Sequence, residues 1–230
     1  MSDVARACGL PFSTAHRLLG GLAARGYVLS PARGEYRLGI AAMTLAQNDT
    51  LAELLAAAAR PVLRALSRQC RVHAHLGILE DDMVTYLVKQ PYGRRRLLST
   101  EGTQLEAYCS AVGKVLLAHL DTDQLEAYLS AGPFVALTRS TIIDPTLLKC
   151  DLTIVRARGW GVDAGEIAVD LACVAVPICD NWGRILAALS ISITGASAPP
   201  IGALPMLRDA ATAITRKLFP MAVNPLGLVS

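Results

Sequence analysis

Residues 173–192 read CVAVPICDNWGRILAALSIS, two apolar runs joined by the turn-forming residues DNWG. This pattern predicts an antiparallel hairpin in which Cys173 lies opposite Ser190. The same register puts Ala175 opposite Ala188. Because side chains alternate along each strand, the hairpin has two faces of different chemistry.

The two faces differ in size and polarity. One carries small or polar side chains (Cys173, Ala175, Ala188, Ser190 and Ser192), and the other carries bulky apolar ones (Val174, Val176, Ile178, Leu189, Ile191 and Ile193). A face of small residues leaves room for a guest molecule, and its hydroxyl groups can orient a polar ligand. The sequence therefore predicts a ligand pocket on this face. The alternative is a closely packed sheet whose serines bond within the protein, and a one-residue slip of register would exchange the faces.

The chain around this hairpin alternates between strand and helix patterns. We expect further strands at residues 72–79, 83–89 and 161–167, and helices at residues 110–120, 123–129, 144–159 and 201–219. Asp144 followed by Pro145 is typical of a helix start, and Gly159 is typical of a helix end. These elements predict an α+β domain in which helices flank an antiparallel sheet.

The first part of the chain has a different pattern and a different charge. A short helix at residues 3–7, a break at Gly9 and a second helix at residues 11–24 are followed by two short strands, 27–30 and 35–38. Residues 1–38 carry five arginines against two acidic residues, which is the whole of the net charge of +3. This order and this charge favour a winged helix-turn-helix that contacts a polyanion.

Seven residues of this head are candidates for DNA contact. They lie on the first turns of the second helix and on the wing: Ser13, Thr14, His16, Arg17, Arg33, Tyr36 and Arg37. Hydroxyl groups suit phosphates, and arginine suits guanine or phosphate. The alternative is an ordinary helical hairpin with a solvated polar face.

Several function classes lack support in the sequence. The apolar stretches are too short to cross ~30 Å of hydrocarbon as a helix. The six cysteines form no C-x-x-C pair and follow no secretory signal, so we expect a reduced cytoplasmic protein without membrane contact. Cys70, His73 and His75 lack a fourth ligand nearby, and we expect neither a metal site nor a cofactor.

Enzymatic activity is not expected either. Cys109 precedes a predicted helix start, where a thiolate would be stabilised, but no His or Asp stands beside it at a catalytic spacing. The alternative is an enzyme that uses Cys109 or Asp163 in the pocket.

Several motifs together resemble the IclR family of transcriptional regulators. They are SDVARACGLPFSTAHRLLGGLAARGYV and EYRLG in the head, then YCSAVGKVLLAHL, LTIVRARGWGVDAGE and CVAVPICDNWGRILAALSIS. The resemblance implies a winged head and a GAF-like sensor domain. Carried over residue by residue, it implies an effector site at Ala111, Val112, Asp163, Cys173, Ser190 and Ser192. Ala111 and Val112 would offer amides near a helix start, so we expect a small organic acid as the effector, such as an aromatic or keto acid.

The resemblance also implies an organisation and partners. We expect a DNA-binding head at residues 1–38, a linker helix at 39–49 and an effector-binding domain at 50–222. The family pattern carries a further helix before Ser2, so we expect the first helix of the head to be missing and the start to be misplaced. The partners expected are a double-stranded DNA operator, the acid, and further copies as a homodimer or dimer of dimers. The alternative is a sensor or interaction module with an incomplete head that does not bind DNA.

Overall fold

The computed structural model describes residues 2–32, 34–46, 50–93, 100–196 and 198–219 of the chain. It divides into two compact units, Met1–Leu51 and Ala52–Ser230. Among the described helices, none is both long enough and apolar enough to span a lipid bilayer.

The first unit is a small winged helix-turn-helix. Its elements are α1 (Ser2–Ala7), α2 (Phe12–Ala24), β1 (Val28–Leu29), β2 (Arg37–Leu38) and α3 (Ile40–Ala46). The two strands pair antiparallel as the wing. Ala5 on α1 and Ala15 on α2 are buried, because the two helices pack against each other. The predicted head is confirmed, although its strands are shorter than the sequence suggested.

The second unit holds a six-stranded antiparallel sheet with helices on both faces. Its elements are α4 (Leu51–Cys70), β3 (His73–Glu80), β4 (Met83–Gln90), β5 (Gln104–Glu106), α5 (Ala111–Leu117), α6 (Thr122–Ser130), α7 (Pro145–Arg158), β6 (Gly161–Ala164), β7 (Leu171–Cys179), β8 (Ile185–Thr194), a 3-10 turn (Ile201–Ala203) and α8 (Leu204–Leu218). The strand order across the sheet is β5-β4-β3-β8-β7-β6. The predicted α+β architecture is confirmed, but the short edge strand β5 was not predicted.

The helix termini follow the local sequence closely. The Asp144 side chain accepts a hydrogen bond from the N–H of Leu147 at 2.9 Å, and Pro145 occupies the first turn of α7. Gly159 ends α7 with a φ of +74°, a conformation that costs glycine little. The predicted start and end of this helix are confirmed.

The two faces of the β7–β8 hairpin separate as the alternation predicts. Bulky residues such as Val174, Leu189 and Ile191 enter one core, packed against α4 and α8. Small residues such as Cys173 and Ala188 enter a second core on the side of α5, α6 and α7. The predicted division into a bulky and a small face is confirmed.

The predicted pairing within this hairpin is wrong by two residues. Cys173 lies opposite Ser192 rather than Ser190, and Ala175 lies opposite Ser190 rather than Ala188. The register shifts by one residue beside Ile178, so the turn does not connect the strands in the simple way that the sequence suggested. A shift of two residues keeps every side chain on its face, and the division into faces survives.

The bulky core is expected to hold most of the stability of the second unit. We expect Ile191→Ala, at a fully buried position, to lower the free energy of unfolding by about 2–5 kcal/mol. Ile154→Ala is the matched control, because Ile154 is 55% exposed, and should change stability by less than about 1 kcal/mol. Urea unfolding followed by tryptophan fluorescence measures this, since both tryptophans, Trp160 and Trp182, belong to the second unit. Equal losses in the two variants would contradict the assignment of the core.

Candidate functional site

A cavity of about 290 Å³ lies over the small face of the sheet. Its walls come from all six strands of the sheet, from the start of α5 and from the segment that precedes β7. The lining residues are His75, Tyr86, Lys89, Leu105, Ser110, Ala111, Val112, Asp163, Ile167, Ala168, Asp170, Leu171, Cys173, Ser190, Ser192 and Thr194. All six residues expected at the effector site line this one cavity.

The cavity stays open because the strands beneath it carry short side chains. Asp163 pairs with Cys173, and Cys173 pairs with Ser192 on the next strand. His75 on β3 pairs with Ser190. A staggered row of polar groups therefore crosses the floor of the cavity from β6 to β3, because the Ser190–His75 pair lies two residues along the strands from Asp163, Cys173 and Ser192. Each of these groups is held by backbone pairing rather than by a loop.

The start of α5 forms the wall opposite the sheet. Ser110 caps the helix, and its Oγ accepts a hydrogen bond from the N–H of Gly113 at 2.9 Å. Ala111 and Val112 are the first two helical residues, whose N–H groups have no acceptor within a helix. These two amides are donors available to a polar group in the cavity.

Two glycines allow α5 to approach its neighbours. A Cβ at Gly113 would lie 2.1 Å from the carbonyl oxygen of Ala107, and one at Gly161 would lie 2.8 Å from that of Ala111. Neither distance is compatible with a side chain. Gly113 therefore serves close packing of α5, and the start of the helix is held against the strand that carries Asp163.

Asp163 is fully buried at one end of the polar row. Its Oδ1 accepts the N–H of Glu166 at 2.6 Å, and its Oδ2 accepts the thiol of Cys173 at 3.8 Å. Burial raises the pKa of Asp163 to about 6, although the backbone hydrogen bonds and Lys114 act in the opposite direction. The carboxyl group is therefore poised to exchange between its protonated and ionised forms near neutral pH.

A buried ion cluster lies behind the start of α5. The Nζ of Lys114 lies 2.5 Å from Oε1 of Glu166 and 2.8 Å from Oδ2 of Asp151. Thr141 also donates to the carbonyl of Glu166 at 2.7 Å. Lys114 thus joins α5, α7 and the segment after β6, and its ammonium is engaged inside the protein rather than directed at a phosphate.

Ten of the lining residues were not predicted as site residues, and they include three neighbouring side chains on β3 and β4: His75, Tyr86 and Lys89. The Nδ1 of His75 lies 3.5 Å from Oγ of Ser190 and 3.4 Å from Oγ of Ser192. Burial and the charge of Lys89 hold the pKa of His75 well below its usual value, so the ring is neutral. From the sequence, His75 was a candidate only as a metal ligand. Within the described ranges, no group of three potential ligand side chains is arranged to hold a metal ion.

Cys109 does not have the environment of a nucleophile. The residue is fully buried, and burial together with the charge of Asp163 raises the pKa of its thiol to about 12. A thiolate is therefore rare at neutral pH, whereas an activated cysteine needs a lowered pKa. Cys109 does not line the cavity.

The candidate DNA-binding residues of the head are mostly accessible. Ser13, His16 and Arg17 are exposed, and their spacing puts them side by side on the surface of α2. Thr14 and Tyr36 are half-buried, and Arg37 is exposed on the wing. Arg33 lies outside the described residues. A contiguous exposed surface of α2 thus combines a hydroxyl, an imidazole and a guanidinium.

Two family profiles match the chain. The profile described as "Bacterial transcriptional regulator IclR C-terminal" matches residues 50–216, and "IclR helix-turn-helix domain" matches residues 1–30. The chain belongs to the IclR family of DNA-binding transcriptional regulators.

Individual relatives support the same assignment. The Pca regulon regulatory protein of Pseudomonas putida is 33% identical over 195 residues, which cover 84% of this chain and 66% of that protein. The DNA-binding transcriptional repressor YiaJ of Escherichia coli is 30% identical over 238 residues, covering 100% of this chain and 84% of the repressor. Both of these relatives of the IclR-family chain are named as regulators.

Solved structures agree in fold. An IclR homolog of Microbacterium hydrocarbonoxydans, complexed with 4-hydroxybenzoate, matches with a TM-score of 0.70 and 29% identity, covering 95% of this chain and 90% of that one. A transcriptional regulator of Rhodococcus sp. RHA1 matches with a TM-score of 0.68 and 34% identity, covering 94% and 89%. The resemblance to the IclR family drawn from the sequence motifs is confirmed.

The buried carboxyl of Asp163 makes the stability of this regulator depend on pH. Its folded pKa, about 6, lies above the ordinary 3.8, so the folded state binds the proton more tightly than the unfolded state. Asp163 therefore favours folding at low pH, and this contribution is lost as pH rises from about 4 to above 6. We expect Asp163→Asn to remove this loss, so that the stability of the variant relative to the wild type rises by up to about 2 kcal/mol between pH 4.5 and pH 7.5.

Urea unfolding of the wild type and of Asp163→Asn at several pH values measures this difference. Asp123→Asn is the control, because Asp123 is exposed on α6. Parallel stability curves for the wild type and Asp163→Asn would contradict the raised pKa.

Proposed function

We propose that this IclR-family regulator binds a small organic acid in the cavity of the second unit, and that the acid changes how tightly the heads bind an operator. The observation that carries the proposal is the open polar face of the sheet, where Asp163, Cys173, Ser190 and Ser192 meet the amides of Ala111 and Val112. A cavity of about 290 Å³ suits a small ligand, because it lies at the lower end of the usual range for binding pockets. The complex of the Microbacterium relative with 4-hydroxybenzoate supports an aromatic acid as the first candidate.

The control of DNA binding follows from a shift between conformations. An acid that binds one arrangement of the protein better than another moves the population toward that arrangement. We infer a homodimer or a dimer of dimers, because two heads on one face of DNA read half-sites about 34–36 Å apart or a multiple of that distance. In this proposal residues 1–38 are the DNA-binding head, 39–49 the linker and 50–222 the effector-binding domain.

The proposed DNA contact rests on the exposed surface of α2 and on the wing. Ser13, Thr14, His16 and Arg17 offer donors at the start of a helix that fits the major groove. Arg33, Tyr36 and Arg37 extend the candidate surface to the wing. These residues give the head the positive charge that an operator requires.

Arg17 tests the proposed interface. We expect Arg17→Ala to weaken binding to the operator by about tenfold or more, because a guanidinium contact to a base or phosphate is lost. Gel shifts and fluorescence anisotropy with DNA from the adjacent intergenic region measure the effect, and wild-type affinity should fall steeply with salt. Arg208→Ala removes an equal charge from α8 and should bind DNA like the wild type. Specific binding that is unchanged in Arg17→Ala would remove this residue from the interface, and absent specific binding would favour a sensor that does not act on DNA.

Ser190 tests the proposed pocket. We expect Ser190→Val to fill part of the cavity and remove a hydroxyl, so that 4-hydroxybenzoate no longer raises the melting temperature. Ser130→Val, at an exposed position on α6, should keep the ligand-dependent rise. A thermal-shift assay with 4-hydroxybenzoate, other small aromatic acids and keto acids measures both. An undiminished response in Ser190→Val would place the ligand elsewhere.

A further inference from the structure

We propose that Lys89 is the residue that selects acids over neutral ligands, by placing its ammonium beside the acidic group of the effector. This inference rests on the proposed function and deepens it, because it names the residue that makes the cavity prefer acids to neutral molecules. Lys89 lies on β4, at the side of the cavity away from Asp163.

A bulge in β4 brings Lys89 to the cavity. Leu76 pairs with Val88, but Gly77 pairs with Tyr86, so Leu87 is an extra residue without an opposite partner. The bulge reverses the alternation of side chains along the strand. Tyr86 and Lys89 both line the cavity although they are three residues apart, whereas Val88 enters the core on the opposite face.

The ammonium of Lys89 has no carboxylate to balance it among the ion pairs of the described residues. It lies 4.6 Å from the centre of the Tyr86 ring, a contact with an aromatic face that also suits a cation. Glu101 accepts a hydrogen bond from the backbone N–H of Lys89, but its carboxylate is engaged by the guanidinium of Arg60 at 2.7 and 3.0 Å. Burial lowers the pKa of Lys89 to about 8. A shift in this direction is expected for an ammonium that has lost contact with water.

The two ends of the cavity floor carry opposite chemistry. From β4 the sheet continues through β3, β8 and β7 to β6, so the backbones that carry Lys89 and Asp163 are separated by about 19 Å. A carboxylate beside Asp163 would face a second carboxyl in a buried site. A carboxylate beside Lys89 would satisfy the unbalanced ammonium, with neutral His75 and the two serines next in the row. The acidic group of the ligand is therefore oriented toward β4.

The proposal is tested with three matched pairs of probes: 4-hydroxybenzoate, benzoate and pyruvate, each with its neutral amide. Calorimetry on the full chain is expected to show that an acid that binds the wild type does so about tenfold or more tightly than its amide. Lys89→Met keeps the length of the side chain but removes the charge, and should bind the acid and the amide within about threefold of each other. Lys89→Arg should restore most of the preference, and Lys149→Met, at an exposed position on α7, should keep all of it.

The pH dependence gives a readout that needs no variant. Around Lys89, the pKa values of His73 and His75 are lowered, those of Tyr86 and Cys173 are raised, and that of Asp163 is about 6. Only Lys89 in this group titrates near pH 8. Because the charged ammonium binds the acid, acid affinity should fall by up to tenfold per pH unit above about pH 8, while amide affinity stays flat.

The outcomes separate this inference from the proposed function. Failure of every acid to bind the wild type would overturn the proposed effector class and this inference with it. Acid binding that keeps its preference in Lys89→Met, or stays constant from pH 7.5 to 9.5, would overturn the role of Lys89 alone. Near-ultraviolet circular dichroism verifies that each variant is folded. If Lys89→Met does not fold, the acid preference of Lys89→Arg and the pH dependence of acid binding to the wild type test the role of Lys89 instead.

Discussion

The pairing of β7 with β8 is the constraint on which the rest of the second unit depends. Alternation along these strands sends valine, leucine and isoleucine toward α4 and α8, where they form a closed core. The same alternation sends cysteine, alanine and serine to the other face, where these short side chains pack against part of α5 and leave space beside the start of the helix. The cavity is therefore a direct product of strand geometry and residue size, and the opposite face of the same strands is a buried apolar core.

The far wall of the cavity is held by charge as well as by apolar packing. Lys114 is almost completely buried, and its contacts with Glu166 and Asp151 join three segments that are distant in sequence. Breaking one partner of such a cluster leaves a buried charge without compensation, at a cost of about 3–5 kcal/mol. The amide N–H of Glu166 also bonds to Asp163, so the polar row and the ion cluster are coupled. Asp163 and Lys114 thus contact the same residue, Glu166, through its backbone and its side chain respectively.

Much of the fold and part of the candidate site could be predicted from sequence, for reasons that particular residues make clear. Alternation predicted the faces of the β7–β8 hairpin, and Asp144, Pro145 and Gly159 predicted α7, because these signals are local. The pairing register failed, because a shift beside Ile178 is set by the turn and not by composition. Lys89 was missed for the same kind of reason. If side chains alternated strictly from Tyr86 onward, Lys89 would point away from the cavity. The bulge at Leu87 reverses this, and its presence depends on how β3 and β4 pair in three dimensions.

The bulge also determines how β4 responds to the loss of a single residue. Deleting Leu87 would restore regular pairing and leave Tyr86 and Lys89 two residues apart, so that both side chains would stay on the cavity side of the sheet. The floor would keep its cation, and only one apolar side chain of the opposite face would be lost. In a regular strand the loss of one residue exchanges the two faces beyond it, whereas at this position it would leave the chemistry of the cavity unchanged.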